Sequence, residues 1–95
     1  MPFPRNLNQH PYTREAIRII DPGQYGVYGI YNASQWIYIG KGDIRARMLA
    51  HFNGDIPCIN RNRPTFWIGW VTPNADQVER QLLSEIPTTC NQRIG

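Results

Sequence analysis

Apolar residues recur along the chain in two different periods. Residues 25–31 (YGVYGIY) and 36–40 (WIYIG) are dense in aromatic and β-branched side chains. The turn residues Asn32-Ala33-Ser34-Gln35 lie between them, so the pair predicts a β-hairpin. Residues 65–71 (TFWIGWV) predict a third strand. Over residues 43–53 the period changes to that of a helix. Ile44, Met48, Leu49 and Phe52 fall on one stripe, with Asp43 placed to cap it. Arg47 and His51 sit four apart at the edge of that stripe, as neighbours on one face. A shorter helix is predicted over residues 14–20, capped by Thr13 and stopped by Asp21-Pro22-Gly23. A last one is predicted over about residues 75–86, opened by Pro73-Asn74 and followed by Pro87 and a short tail. Residues 1–11 read as an irregular arm and residues 53–64 as a loop punctuated by Gly54, Pro57 and Pro64. The order helix, strand, strand, helix, strand, helix predicts a small mixed α/β (α+β) domain. Its sheet would be three-stranded, largely antiparallel and flanked by helices.

Ninety-five residues fit one domain over 1–95, with an N-terminal arm and helix in 1–24 and a core in 25–95. Cys58 and Cys90 lack C-x-x-C spacing; they can form one bridge at most, which disfavours both a zinc site and a disulfide-stapled secreted mini-protein. No apolar leader and no run long enough to span a bilayer is present, so an intracellular protein with no membrane role is expected.

Charge sharpens this picture by its placement. The formal net charge is only +3. Lys41, Arg45, Arg47, Arg61 and Arg63 against Asp43 and Asp55 supply all of it within residues 41–63, as a phosphate-facing surface would require. On that charge alone, a merely solvated basic face would be the better reading.

The last helix carries an anomaly. Ala75, Val78, Leu82, Leu83 and Ile86 form its apolar stripe, and Glu79 falls inside it. A carboxylate facing a core costs several kcal/mol unless it is paired or binds a metal. A salt bridge to one of the arginines would satisfy it as well as an ion would.

Gly26-Val27-Tyr28, then Tyr38-Ile39-Gly40 with Lys41, then Arg47 and His51, then a helical Glu79 and a late Asn91, form an ordered string. It resembles the GIY-YIG nuclease superfamily over residues 26–91. Gly29-Ile30-Tyr31 spells the first motif literally, but it lies only seven positions before Tyr38. The family-like spacing assigns the motif to Tyr28 and leaves Tyr31 to sheet packing. The two tyrosines must share a sheet face to serve one site. That is expected only if the hairpin pairing is centred on Ala33, through an odd loop or a bulge.

The resemblance implies metal-dependent endonucleolytic cleavage of phosphodiester bonds in DNA, with Mg²⁺ (or Mn²⁺) as cofactor. Glu79 would be the single carboxylate ligand, which suits an ion that keeps most of its waters. Arg47 would bind the scissile phosphate. Tyr28 and Tyr38 would orient or activate the attacking water, a base role that requires a lowered phenol pKa from Lys41, Arg47 or the ion. Lys41 and His51 would assist, Gly40 would allow close approach, and Asn91 would support the site from the tail. Arg45, Arg61 and Arg63, with Lys41 and Arg47, would contact nucleic acid. Trp36, Phe66, Trp67 and Trp70 read as core or sheet-face residues. The competing expectations are a catalytically inactive nucleic-acid-binding module of the same fold, or a nuclease directed at RNA. With no room for a specificity domain, selectivity would come from substrate structure, a homodimer or a protein partner.

Overall fold

The computed structural model describes residues 3–4 and 7–91. The elements run β1 (His10–Pro11), α1 (Arg14–Arg18), β2 (Tyr25–Tyr31), β3 (Trp36–Asp43), α2 (Ile44–Phe52), α3 (Pro57–Arg61), β4 (Phe66–Val71) and α4 (Ala75–Glu85). The class is the mixed α and β one expected, but the sheet has four strands, ordered β1-β4-β2-β3 and antiparallel throughout. The added strand is the end of the N-terminal arm, where His10 and Pro11 pair with Trp67 and Phe66. Two residues have no periodicity to detect, and Pro is tolerated at a sheet edge. The expected loop over 53–64 likewise contains α3. Pro57 opens it at the first turn, where a missing N–H costs nothing.

Each face of the sheet buries its own cluster. Ile17, Tyr28, Ile30, Ile44, Met48, Ile59 and Trp67 pack beneath α1, α2 and α3. Phe3, Val27, Ile39, Ile68, Leu82 and Ile86 pack on the other side, beneath α4 and the arm. Thr13 caps α1 as expected, its hydroxyl accepting from the Ala16 N–H at 3.1 Å. Asp43 does not cap α2 with its side chain. Its carboxylate instead accepts from the Gly23 N–H at 3.1 Å, tying the turn before β2 to the end of β3.

The hairpin register decides where the tyrosines point. Tyr28 pairs with Gly40 and Ile30 with Tyr38, so the pairing is centred on Ser34 rather than on Ala33. An irregularity between Ile30 and Tyr31 shifts the register by one and restores an even offset. Asn32 forms the turn, its side-chain oxygen accepting from the N–H groups of Ser34 and Gln35 at 2.8 and 3.0 Å. Tyr28 and Tyr38 therefore share one face, with ring centroids 6.4 Å apart. Tyr31 faces the other way, bonded to Gln9 and packed on Trp36 and Phe66.

The tail returns along the sheet's edge strand. Thr89 and Cys90 donate backbone N–H groups to Trp36 and Ile37 at 3.1 and 2.8 Å. Cys90 is disulfide-bonded to Cys58 on α3. The bridge spans 32 residues, so loop-closure entropy puts its worth at about 3.7 kcal/mol. Urea denaturation of the Cys58→Ser/Cys90→Ser protein should show a loss of about 2–4 kcal/mol. An unchanged midpoint would mean that the tail's hydrogen bonds alone hold it.

Candidate functional site at the edge of the sheet

The side chains anticipated for catalysis collect into two groups on opposite faces of β3. Tyr28, Tyr38, Arg47 and His51 meet on the face covered by α2. The Tyr28 hydroxyl lies 2.7 Å from Nε2 of His51, and Nδ1 of His51 lies 2.8 Å from Oδ1 of Asp55. A carboxylate can only accept, so Asp55 takes the Nδ1–H of neutral His51. Nε2 is then the acceptor, and Tyr28 donates to it. The other Asp55 oxygen lies 3.8 Å from the Arg47 guanidinium. That guanidinium also faces both phenols closely enough to favour their ionised forms.

Local backbone chemistry places each member. Tyr28 lies over Gly40, where a Cβ would stand 2.4 Å from the phenolic oxygen. Gly42, at φ +134°, lets the Arg47 stem cross β3, where a Cβ would stand 3.0 Å from its Cγ. Asp55 is set by the end of α2. The N–H of Gly54 bonds the His51 carbonyl at 3.0 Å and that of Asp55 bonds the Ala50 carbonyl at 3.1 Å. This is the Schellman closure, with Gly54 at φ +92°. Sequence reasoning missed Asp55. The signal was present: a carboxylate four residues after His51, just beyond an Asn-Gly helix stop.

Electrostatics in this group are governed by burial. Tyr28 and His51 have no exposed surface. Burial pushes the Tyr28 phenol well above its ordinary range, Tyr38 adds to this, and Arg47 only partly opposes it. Burial also raises the Tyr38 phenol against the pull of Arg47. The lowered phenol pKa required of a resting base is thus not met. Lys41 cannot supply it to Tyr28, because it pairs with Val27 on the opposite face and is engaged there with acids. Burial lowers the His51 pKa, with Asp55 opposing and Arg47 assisting.

The second group is Lys41, Asp76 and Glu79. Lys41 makes a short ion pair with Asp76 and a longer one of 3.9 Å with Glu79. The hydrogen bond from Lys41 to Asp76 holds the Lys41 pKa up and the Asp76 pKa down. Glu79 sits at the margin of the packed face of α4 rather than in its centre. Its side chain is 23% exposed, and burial raises its pKa while Lys41 opposes. It makes no hydrogen bond among the described residues. Its charge adds a smaller rise to the Tyr38 phenol pKa, behind burial.

A half-buried carboxylate with one long ion pair fits a hard divalent ion that keeps its waters. Among the described residues there is no group of three or more His, Cys, Asp or Glu that could hold a metal by protein ligands alone. Such a donor set is unlike a structural zinc site.

Asn91 braces the edge strand from the tail. Its side chain accepts from the Ile39 N–H and donates to the Ile39 carbonyl, both at 2.8 Å. A cleft of about 540 Å³ opens beside it, lined by Tyr38, Asp55, Ile56, Arg61, Thr89 and Asn91. Of the anticipated residues Tyr38, Arg61 and Asn91 line this cleft; Arg47, Lys41, Tyr28, His51 and Glu79 do not, nor do Arg63, exposed beyond α3, and Arg45, half-buried on α2. Compared with family models, curated proteins and solved structures, the chain matches none. Function must then be read from the geometry of the site itself.

Two measurements follow from this geometry. Gly40→Ala should force the Tyr28 ring off His51, with a loss of about 1–3 kcal/mol in urea denaturation. A Gly40→Ala variant as stable as wild type would show that the ring relaxes without cost. The lowered His51 pKa has a definite sign: the unfolded chain takes up the proton first. This contribution to stability is complete above pH ~6.5 and is lost as pH falls through the folded-state pKa. An NMR titration of the His51 ring should have its midpoint below ~6.5. A midpoint above that value would mean Asp55 outweighs burial.

Proposed function

We propose that this chain is a small metal-dependent endonuclease of the GIY-YIG type, cleaving phosphodiester bonds in DNA inside the cell. The observation that carries this reading is the meeting of Tyr28, Tyr38, Arg47 and His51 at one corner. They come from three elements, and the motif spacing alone linked them. Glu79, across the edge strand, adds a carboxylate whose charge is felt at Tyr38.

Each group then has a task. The Arg47 side chain is 42% exposed, and its fork of donors can grip two oxygens of a phosphate. It offsets charge that builds on the phosphate as the bond breaks. Tyr38, half-buried at the cleft, is placed to orient a water, with the buried Tyr28 and His51 behind it and Lys41 on the other face of β3 beside Glu79. Glu79 would hold Mg²⁺ or Mn²⁺, and a bound ion supplies Lewis-acid polarisation and stabilises a leaving oxygen. Arg61, in the cleft, contacts the nucleic-acid backbone, with Arg45 and Arg63 extending the basic surface. Gly40 and Asn91 hold the geometry. Specificity is left to substrate structure, to a second copy or to a protein partner. No helix among the described residues is long and apolar enough to cross a membrane.

The test is nicking of a supercoiled plasmid with Mg²⁺ against an EDTA control, repeated on branched, single-stranded and RNA substrates. Arg47→Ala should reduce cleavage about 100-fold or more, with a smaller change in binding. Arg61→Ala should weaken binding and lower the salt slope by about one. Glu79→Gln should abolish nicking and the Mg²⁺-induced thermal shift. In metal-free buffer it should stay within about 1 kcal/mol of wild type or exceed it, because a poorly solvated charge is removed. A Glu79→Gln protein that cuts at the wild-type rate refutes the metal-ligand assignment. Binding without cleavage on every substrate would favour the inactive binding module.

A further inference from the structure

Asp55, His51, Tyr28 and Arg47 close a ring. Asp55 holds Nδ1 of His51 with one oxygen and approaches Arg47 with the other. His51 accepts from Tyr28, and the same guanidinium has its pKa held up chiefly by the neighbouring Tyr28 phenol. Two members of this ring, Tyr28 and His51, have no exposed surface. A group that meets a substrate phosphate or an attacking water must be reachable. In this ring only Arg47 and Asp55 reach solvent, with side chains 42% and 34% exposed. Beside the ring, the half-buried Tyr38 lines the cleft, and its ring packs edge-on against His51 at 4.9 Å.

We propose that Tyr28, His51 and Asp55 are positioning residues for Arg47, and that Tyr38 is the phenol that meets the substrate. This rests on the nuclease reading and divides labour within it. The physical case is one of freedom. An arginine side chain has many rotamers, and a guanidinium free at a surface must be ordered at the moment of binding. Here Asp55 approaches one side of it and the Tyr28 oxygen faces it from another. The Tyr28 oxygen is itself fixed by donating to His51, and His51 can accept only because Asp55 holds its other nitrogen protonated. Asp55 thus acts twice, directly by charge and indirectly through the His51 tautomer. Gly42 removes the steric barrier to the same pose.

Three readouts separate this division of labour from its rival, in which Tyr28 or His51 is the base. The groups facing this corner are Arg47 and His51 from α2, Asp55 after it, Tyr28 and Tyr38 from the sheet, and Glu79 from α4. In the first readout, the Arg47 side-chain Nε–H should exchange slowly with solvent in wild type, as seen by NMR. It should exchange at least about tenfold faster in Tyr28→Phe and in Asp55→Asn, as expected when its partners are removed. This measurement needs no cleavage, so it stands even if the nuclease reading fails. In the second, nitrogen chemical shifts should show His51 protonated at Nδ1 in wild type and a changed tautomer ratio in Asp55→Asn. In the third, Tyr28→Phe and Asp55→Asn should lower kcat about 100-fold through misplacement. Both should keep the shape of the wild-type pH–rate profile, and Asp55→Glu should recover part of the rate.

Tyr38→Phe should lower cleavage while speeding Arg47 exchange less than Tyr28→Phe does, since Arg47 faces both phenols but Tyr28 more strongly. An Arg47 Nε–H that exchanges equally fast in wild type and variants overturns the positioning role. A basic limb lost from the pH–rate profile in Tyr28→Phe, with Arg47 still ordered, overturns it in favour of Tyr28 as base. If Tyr28→Phe does not fold, Asp55→Asn carries the same three readouts, since Asp55 is partly exposed and its change removes no buried ring.

Discussion

A phenol and an imidazole, neither with exposed surface, meet at 2.7 Å between the sheet and α2. Each would cost several kcal/mol if buried without a partner. Together they are satisfied, and the corner of the molecule is built around that requirement. The pair exists only because Tyr28 lies opposite Gly40, where a side chain would occupy the space of the phenol. It also requires His51 to present an unprotonated Nε2, which calls for an acceptor on the far side of the ring. Asp55 supplies that acceptor from a helix-ending turn that depends on Gly54. One buried polar contact thus ties together a hairpin register, two glycines and a helix terminus.

The same burial decides the charge state of the site at rest. Desolvation outweighs Arg47 at both phenols and outweighs Asp55 at the imidazole. The interior of the network is therefore neutral, and formal charge sits only on its partly solvated rim. There Arg47 approaches Asp55, and Lys41 is held by Asp76 and Glu79. A neutral, fully bonded interior stabilises one geometry without the penalty of buried ions. The cost is that no group is pre-ionised as a base. A negatively charged phosphate or a divalent cation arriving at the rim would be the largest new charge in the corner.

The helices and strands with strong periodicity were legible in the residues alone: β2, β3, β4, α2 and α4 fall within a few positions of their expected bounds. What escaped was short. β1 is two residues and α3 five, below the length at which any period can register. The hairpin register was legible only as a condition, because a bulge changes parity without a sequence mark strong enough to locate it. Glu79 was recognisable as out of place, yet its ion-pair partner was not. The cation that pairs with it proved to be Lys41, on the edge strand, rather than an arginine. Asp55 escaped because it lies beyond the last residue of α2, where helical spacing no longer predicts neighbours. The chain nevertheless continues around the helix end for one more turn, so i,i+4 proximity persists through a Schellman stop.

The edge strand β3 presents the general hazard of exposed backbone donors and acceptors. The tail removes it by bonding Trp36, Ile37 and both backbone groups of Ile39 in turn. This covering also does something for the site. Tyr38 lies between two residues whose backbones are held by the tail, so the strand segment carrying its ring is fixed from the edge side. The disulfide to Cys58 pins the covering segment to α3, which starts two residues after Asp55. Both walls of the cleft are thereby held against each other by a covalent bond, with Tyr38 between them. Blocking an edge and shaping a cleft are separate requirements on a small domain. Here one short segment of chain, residues 89–91, meets both, and Asn91 can do so because an amide side chain donates and accepts at once.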